Sequence, residues 1–310
     1  MAGKPPTPKS DLGSDAKKKG RAEEVLSKVR RIEISTRKIV DTMLSGQYHT
    51  RFKGQGMQFS DFREYYAGDD IRHIDWKVTA RTQLAHIKKF EEERDLTVYL
   101  LVDVSGSREF GSADKTKGDA LAEVCALLAF AAVSNNDRVG LILFSDRVEK
   151  HIPPKKGRGH AMRLITEILH FQPVSKGTNL KLALEYYSEV VKNTGVVFLA
   201  SDFYDKDYEK ALRRIGRKHD MIALRMRDPR EREVPAIGKI EMQDSETGRI
   251  FWVDTASYGF QKQFKAEQVR FEQSLETSFA QAQVDRLDLW TNEDYFSKVV
   301  GYFSQGKRKR

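Results

Sequence analysis

The chain has 310 residues, 39% of them hydrophobic and 32% charged, which is enough to bury a full core beneath a heavily charged surface. Its net charge of +9 sits largely at the ends: residues 1–22 hold six Lys/Arg against two Asp, Lys307 to Arg310 add four more cations, and the body is left near +1. That distribution excludes a broad basic face for specific nucleic-acid binding, and a single cysteine, Cys125, excludes an internal disulfide and a Cys-rich zinc site.

No apolar run reaches the ~20 residues that a helix needs to cross a bilayer. The longest, Ala120 to Val133, is interrupted by Glu123. The opening M-A-G-K-P-P-T-P-K has no apolar signal region, so no transmembrane segment and a cytoplasmic location are expected.

Residues 1–22 carry Pro, Lys, Ser and Gly without apolar periodicity and read as a disordered basic tail. From Glu23 to Leu44, Val25, Val29, Ile32, Ile34, Ile39, Val40 and Met43 fit an amphipathic helix with a break near Ser35-Thr36. Ser45 to Ala80 is rich in Gly, aromatics and paired opposite charges. It reads as a long loop in which Arg63, Arg72, Asp70 and Asp75 satisfy one another. An active site built on His49, His73 and His86 is the alternative, but no two of them have metal-motif spacing. Leu84 to Phe90 then reads as a strand.

Leu96 to Ser107, L-T-V-Y-L-L-V-D-V-S-G-S, organises the rest. Its apolar residues on both faces predict a central strand of a parallel sheet covered by helices. Asp103, Ser105 and Ser107 follow at every second position, and in an extended segment such side chains point the same way. One carboxylate and two hydroxyls can then converge on a hard divalent cation, Mg²⁺ before Ca²⁺ or Mn²⁺.

An alternating pattern continues. A helix is expected over Lys117 to Asn135, a strand over Val139 to Phe144 and a short edge strand over Arg147 to Ile152. A helix follows over Gly159 to Phe171. The polar loop V-S-K-G-T-N-L offers Thr178 before a helix to about Lys192, and the strand G-V-V-F-L-A-S-D-F ends in Asp202. Next come a helix over Tyr208 to Lys218, a strand over Met221 to Met226, and a hairpin over Lys239 to Thr255 with S-E-T-G as its turn. A helix over Phe260 to Gln283, a strand over Asp285 to Leu289 and a helix over Glu293 to Phe303 complete the chain. Cys125 reads as a small core residue, and Asp137 and Asp146 as caps or turn residues.

Ligands of open α/β sheets bind outside the carboxyl ends of the strands, where Asp103 and Asp202 both belong. The order Asp-x-Ser-x-Ser, then Thr, then Asp resembles the metal-ion-dependent adhesion site of von Willebrand factor A domains. That resemblance implies metal ligation by Asp103, Ser105, Ser107, Thr178 and Asp202. The stretch G-x-G-M-Q-F-S-D-F-R-E-Y-Y-A-G-D-D-I-R-H-I-D-W-K-V-T-A-R, with K-F-E-E-E-R and D-V-S-G-S after it, resembles the bacterial family called domain of unknown function 58. The likeness runs from about Ile34 to Phe303 and implies an N-terminal region followed by a von Willebrand factor A-like domain. Arg108 departs from it, standing where a methionine often follows the serines and placing a cation beside the site.

The fold expected is α/β, a doubly wound, mostly parallel sheet with an N-terminal helix/loop subdomain. Its segments are the tail (1–22), the subdomain (23–94), the von Willebrand factor A-like domain (95–303) and a basic tail (304–310). A phosphatase-like role for Asp103 lacks the second acid two residues on, where Ser105 stands. No G-x-S-x-G elbow, placed base or phosphate loop marks a hydrolase. Three hydroxyls and two carboxylates leave Mg²⁺ an open position when some contacts pass through water, and a partner's Asp or Glu suits it. The family resemblance implies the partner class, a MoxR-type AAA+ ATPase. The resulting expectation is a non-enzymatic adaptor in maturation or remodelling of client proteins. A metal-dependent hydrolase and a structural scaffold are the alternatives.

Overall fold

The computed structural model describes residues 27–41, 57–92, 96–111, 115–243 and 248–305. Its centre is a six-stranded sheet in the order β10-β7-β6-β3-β4-β5. These strands are β3 (Thr97–Asp103), β4 (Arg138–Phe144), β5 (Val148–Lys155), β6 (Val196–Ala200), β7 (Asp220–Arg227) and β10 (Asp285–Trp290). Only the β4–β5 pair is antiparallel; β3 pairs in parallel with both β4 and β6. The chain winds outward from β3 to β4, returns past β5, and enters β6 on the other side of β3. The winding therefore reverses between β3 and β6, and it is there that Asp103 ends β3 and Asp202 follows the end of β6.

The alternation of β3 sorts its side chains into two cores. Val98, Leu100 and Val102 face one apolar layer, and Tyr99 and Leu101 the other. On the first side lie the helices α3 (Lys117–Ser134), α4 (Arg158–His170) and α9 (Tyr295–Ser304). On the second lie α5 (Leu180–Val190), α6 (Glu209–Lys218) and α8 (Tyr258–Ala282). Fifteen of the 18 residues of α3 are buried, because it is sandwiched between the sheet and further helices rather than capping the layer. The doubly wound, mostly parallel sheet is thus the architecture of this chain.

The helix over 27–41, α1, places Val29, Ile32 and Val40 in the first core. Each such burial stabilises by about 1.5–3 kcal/mol. The neighbouring Lys28–Asp119 pair, with both side chains about one-third exposed, contributes about 0–1 kcal/mol. Apolar burial therefore fixes α1, and along the chain the core begins well before residue 95. The expected break at Ser35-Thr36 is absent. The Ser35 hydroxyl donates to Ile32 O, and the buried Thr36 hydroxyl to Ile32 O and Glu33 O, so both polar groups bond back into the helix.

The stretch expected as a loop is more regular than its sequence. β1 (Met57–Glu64) pairs antiparallel with β2 (His86–Glu92), enclosing a 3₁₀ turn at Ile71–His73 and the helix α2 (Trp76–Thr82). The charged residues divide differently from expectation. Arg63 grips Asp69 through two hydrogen bonds of 2.7 and 2.8 Å, Arg72 pairs with Asp70, and Asp75 caps α2 through the Lys77 and Val78 amides. The N-terminal tail, residues 306–310 of the C-terminal one and His49 lie outside the described residues, as do three residues of the S-E-T-G turn. That turn joins β8 (Lys239–Gln243) to β9 (Ile250–Asp254), an antiparallel pair as expected. A short helix, α7 (Pro229–Arg232), has no counterpart in the sequence reading.

Candidate functional site

Asp103 is the last residue of β3 and only 6% exposed. Its Oδ1 accepts the Ser105 amide at 2.9 Å and its Oδ2 accepts the Ser201 hydroxyl at 2.7 Å. Ser105 is buried and extended, but the alternation expected to carry on to Ser107 stops there. Gly106–Glu109 form a 3₁₀ turn, and this turn, rather than strand geometry, brings Ser107 Oγ to 3.4 Å from Ser105 Oγ. The Gly106 amide donates to Lys176 O at 3.0 Å, which ties this turn to the loop of the half-buried Thr178. That loop is held on its far side too: the Asn179 amide donates to Ser145 O, and the Leu180 amide to Asp205 Oδ2.

Asp202 follows β6 by two residues. Phe203 beyond it has φ of 64°, the left-handed region that bulky side chains avoid. Three contacts hold it there. Its ring is fully buried edge-on against Phe279, with centroids 5.0 Å apart, its amide donates to Ser201 Oγ, and Tyr208 packs alongside. Backbone strain of this kind persists where surrounding packing over-determines it, and here it fixes the turn that presents Asp202.

Three residues that the sequence did not mark complete the site. Ser201 bonds Asp103. Lys117, the first residue of α3, extends its ammonium to within 3.5 Å of Asp202 Oδ2 and 2.5 Å of Glu231 Oε1. Glu231 comes from α7, whose D-P-R-E start is a capping box with Pro in the first turn, a signal legible in the sequence. Lys117 and Ser201 carry no comparable local signal.

Burial, and after it the Asp202 carboxylate, push the Asp103 carboxyl up to about 7. Its hydrogen-bond donors are neutral, whereas Asp202 has an ammonium beside it. Burial works against the charge of Lys117, but Asp202 and Glu231 outweigh it and hold the lysine above its ordinary range. Arg108, expected as the cation beside the site, is mostly committed elsewhere. Its Nη2 donates to Ile168 O at 2.7 Å, burial lowers its pKa, and Asp119 acts on it ahead of Asp103. The cation that pairs with an acid of the site is Lys117, beside Asp202.

The chemistry and spacing of these residues bear on whether they suit a hard divalent ion. Adjacent vertices of an octahedron with ~2.1 Å bonds lie ~3.0 Å apart, close to the 3.4 Å between the two serine oxygens. All donors are oxygens, and the two carboxylates lie near enough to act on one another. Among the described residues no three His, Cys, Asp or Glu converge, so an ion here would depend on the hydroxyls. The donor set fits Mg²⁺ or Mn²⁺. His86, His151, His160 and His219 bond elsewhere, to Leu84 O, Tyr186, Val139 O and Tyr187. Cys125 is fully buried, its thiol pushed up to about 12 by burial. No helix among the described residues is long and apolar enough to cross a membrane.

The chain is 26% identical over 285 residues to the uncharacterized protein Rv1480 of Mycobacterium tuberculosis, across 90% of this chain and 89% of that protein. The same figures hold for the uncharacterized protein Mb1516 of Mycobacterium bovis. Among solved structures it is similar to the conserved hypothetical protein BatB from Bacteroides thetaiotaomicron, with a TM-score of 0.44 and 11% identity over 68% of this chain and 98% of that one. It is also similar to the SpRpn10 VWA domain, with a TM-score of 0.38 and 12% identity over 69% and 99% of the two chains. A family model described as "Protein of unknown function DUF58" matches residues 61–274.

Proposed function

The chain belongs to the DUF58 family, and from that premise we propose that it is a non-enzymatic, divalent-metal-dependent protein-interaction module. In this reading it is an adaptor between a MoxR-type AAA+ ATPase and client proteins. The observation that carries the metal-dependent part is the gathering of Asp103, Ser105, Ser107 and Asp202 where the winding reverses between β3 and β6. The ATPase class rests on the family resemblance alone.

Asp103, Ser105, Ser107, Thr178 and Asp202 would hold the ion. Bound Mg²⁺ would supply an open coordination position for a carboxylate oxygen of the partner. The chain's own residues do the rest. Asp103 and Asp202 provide negative charge, and Ser201 and the Ser105 amide orient the Asp103 carboxylate. The Gly106–Lys176 hydrogen bond keeps the serine turn and the Thr178 loop in register.

The test is partner pull-down by wild type and Thr178→Ala, each in Mg²⁺ and in EDTA, with circular dichroism as a folding control. Partner retention by wild type in Mg²⁺ alone supports the reading. Equal retention in all four conditions overturns it.

A further inference from the structure

Lys117 is placed where a positive charge is disfavoured twice. It begins α3, so it sits at the positive end of the helix dipole, and its side chain is 6% exposed. Two carboxylates from separate elements offset this, Asp202 after β6 and Glu231 on α7, and the ammonium lies nearer Glu231. Glu231 is itself held in place, since its Oε2 accepts the Asp228 amide at 3.2 Å in the capping box. Asp202 is braced by the Tyr204 amide at 3.3 Å. The lysine therefore lies between two fixed acids, one of which belongs to the candidate metal site and one of which does not.

The local charge balance has a matching form. Asp103, Asp202 and Glu231, when ionised, set three negative charges against one ammonium. The remainder is the charge of one divalent cation. The other nearby cation, Arg108, is bonded to Ile168 O and acted on first by Asp119.

We propose that Lys117 is a built-in competitor for the divalent ion: without metal its ammonium supplies the counter-charge of Asp202, and when the ion takes Asp202 the ammonium is retained by Glu231. This rests on the metal-site reading above. It makes α7 part of the setting of metal affinity, although α7 contributes no metal ligand. Glu231 draws the ammonium off Asp202 and so favours the ion, while Lys117 disfavours it. Substitutions at the two residues must then shift affinity in opposite directions, an outcome that general loosening of the site would not produce.

The experiment is calorimetric titration of Mg²⁺ and Mn²⁺ into the full chain as wild type, Lys117→Met and Glu231→Gln. Thermal unfolding of each in EDTA and in Mg²⁺ accompanies it. Glutamine keeps an oxygen for the Asp228 amide, so the capping box survives. Lys117→Met should tighten binding about tenfold or more, the scale expected when a charge paired with a partly buried carboxylate is removed. It should also lower the melting temperature in EDTA and enlarge the rise on adding Mg²⁺. Glu231→Gln should weaken binding several-fold, because the ammonium is left to Asp202 alone. If Lys117→Met fails to fold in EDTA, Glu231→Gln decides the matter by its sign. Metal binding by wild type with both variants unchanged, or shifted in the same direction, overturns the competition and leaves the metal site standing. No binding by any of the three overturns the metal site and the inference with it.

Discussion

Asp103→Asn is expected to stabilise the metal-free protein at alkaline pH while abolishing its response to Mg²⁺. The Asp103 carboxyl is raised from an ordinary value of 3.8 to about 7, first by burial and then by Asp202. A carboxyl whose folded-state pKa exceeds its unfolded one holds its proton more tightly when folded. The associated stability is complete below pH 3.8 and is lost as the pH rises through about 7. Three pKa units correspond to about 4 kcal/mol at pH 8, of which about 2–3 kcal/mol is lost between pH 5 and pH 8. Asparagine carries no charge and keeps both neighbours: its oxygen can accept the Ser105 amide, and its amide group can donate to Ser201 Oγ. Urea unfolding followed by circular dichroism, in EDTA at pH 5, 6.5 and 8, measures the difference. The variant should gain on wild type by about 2–3 kcal/mol across that range. Parallel pH profiles for the two proteins would show that Asp103 is not held against its charge, and the electrostatic description of the site would be wrong.

Gly195→Ala is expected to destabilise by at least about 1–3 kcal/mol, because its Cβ would lie 2.5 Å from Thr97 O, a backbone atom of the neighbouring strand that cannot swing aside. Chemical denaturation measures it, and a cost below about 0.5 kcal/mol would refute the close approach of these segments. Cys125 should resist a thiol-specific reagent at pH 8 in the native protein and react once per chain in denaturant, since the thiol is fully buried and raised to about 12. Rapid labelling of the folded protein would contradict its place in the core.

The parts of this molecule that sequence makes legible are those with a local cause. The apolar run Val98 to Val102 is sufficient to mark a central strand, and the serial order of helices and strands after it is enough to imply the winding that brings Asp103 and Asp202 to one end. Within the stretch from Met57 to Glu92, β1 is hidden because charges interrupt the alternation, whereas β2 is legible as the strand expected over Leu84 to Phe90. There Asp70 and Asp75 act as caps, a role that turn chemistry allows but aromatic and charged crowding obscures. Long-range pairing is the least legible. Lys117 meets Asp202 and Glu231 across 85 and 114 residues. Arg225, 1% exposed on β7, is bonded by Glu272 on α8, 47 residues later. A lysine at the start of a helix and an arginine in a strand look like surface residues until the partner segments are placed.

The central claim is that the residues at the ends of β3 and β6 hold a divalent ion. The most direct measurement is anomalous diffraction from crystals of the full chain grown in millimolar Mn²⁺. One anomalous peak is expected ~2.0–2.2 Å from Ser105 Oγ and Ser107 Oγ, with Asp103, Thr178 and Asp202 around it and the Lys117 ammonium on Glu231. No peak at that position, or manganese bound only elsewhere on the molecule, would contradict it.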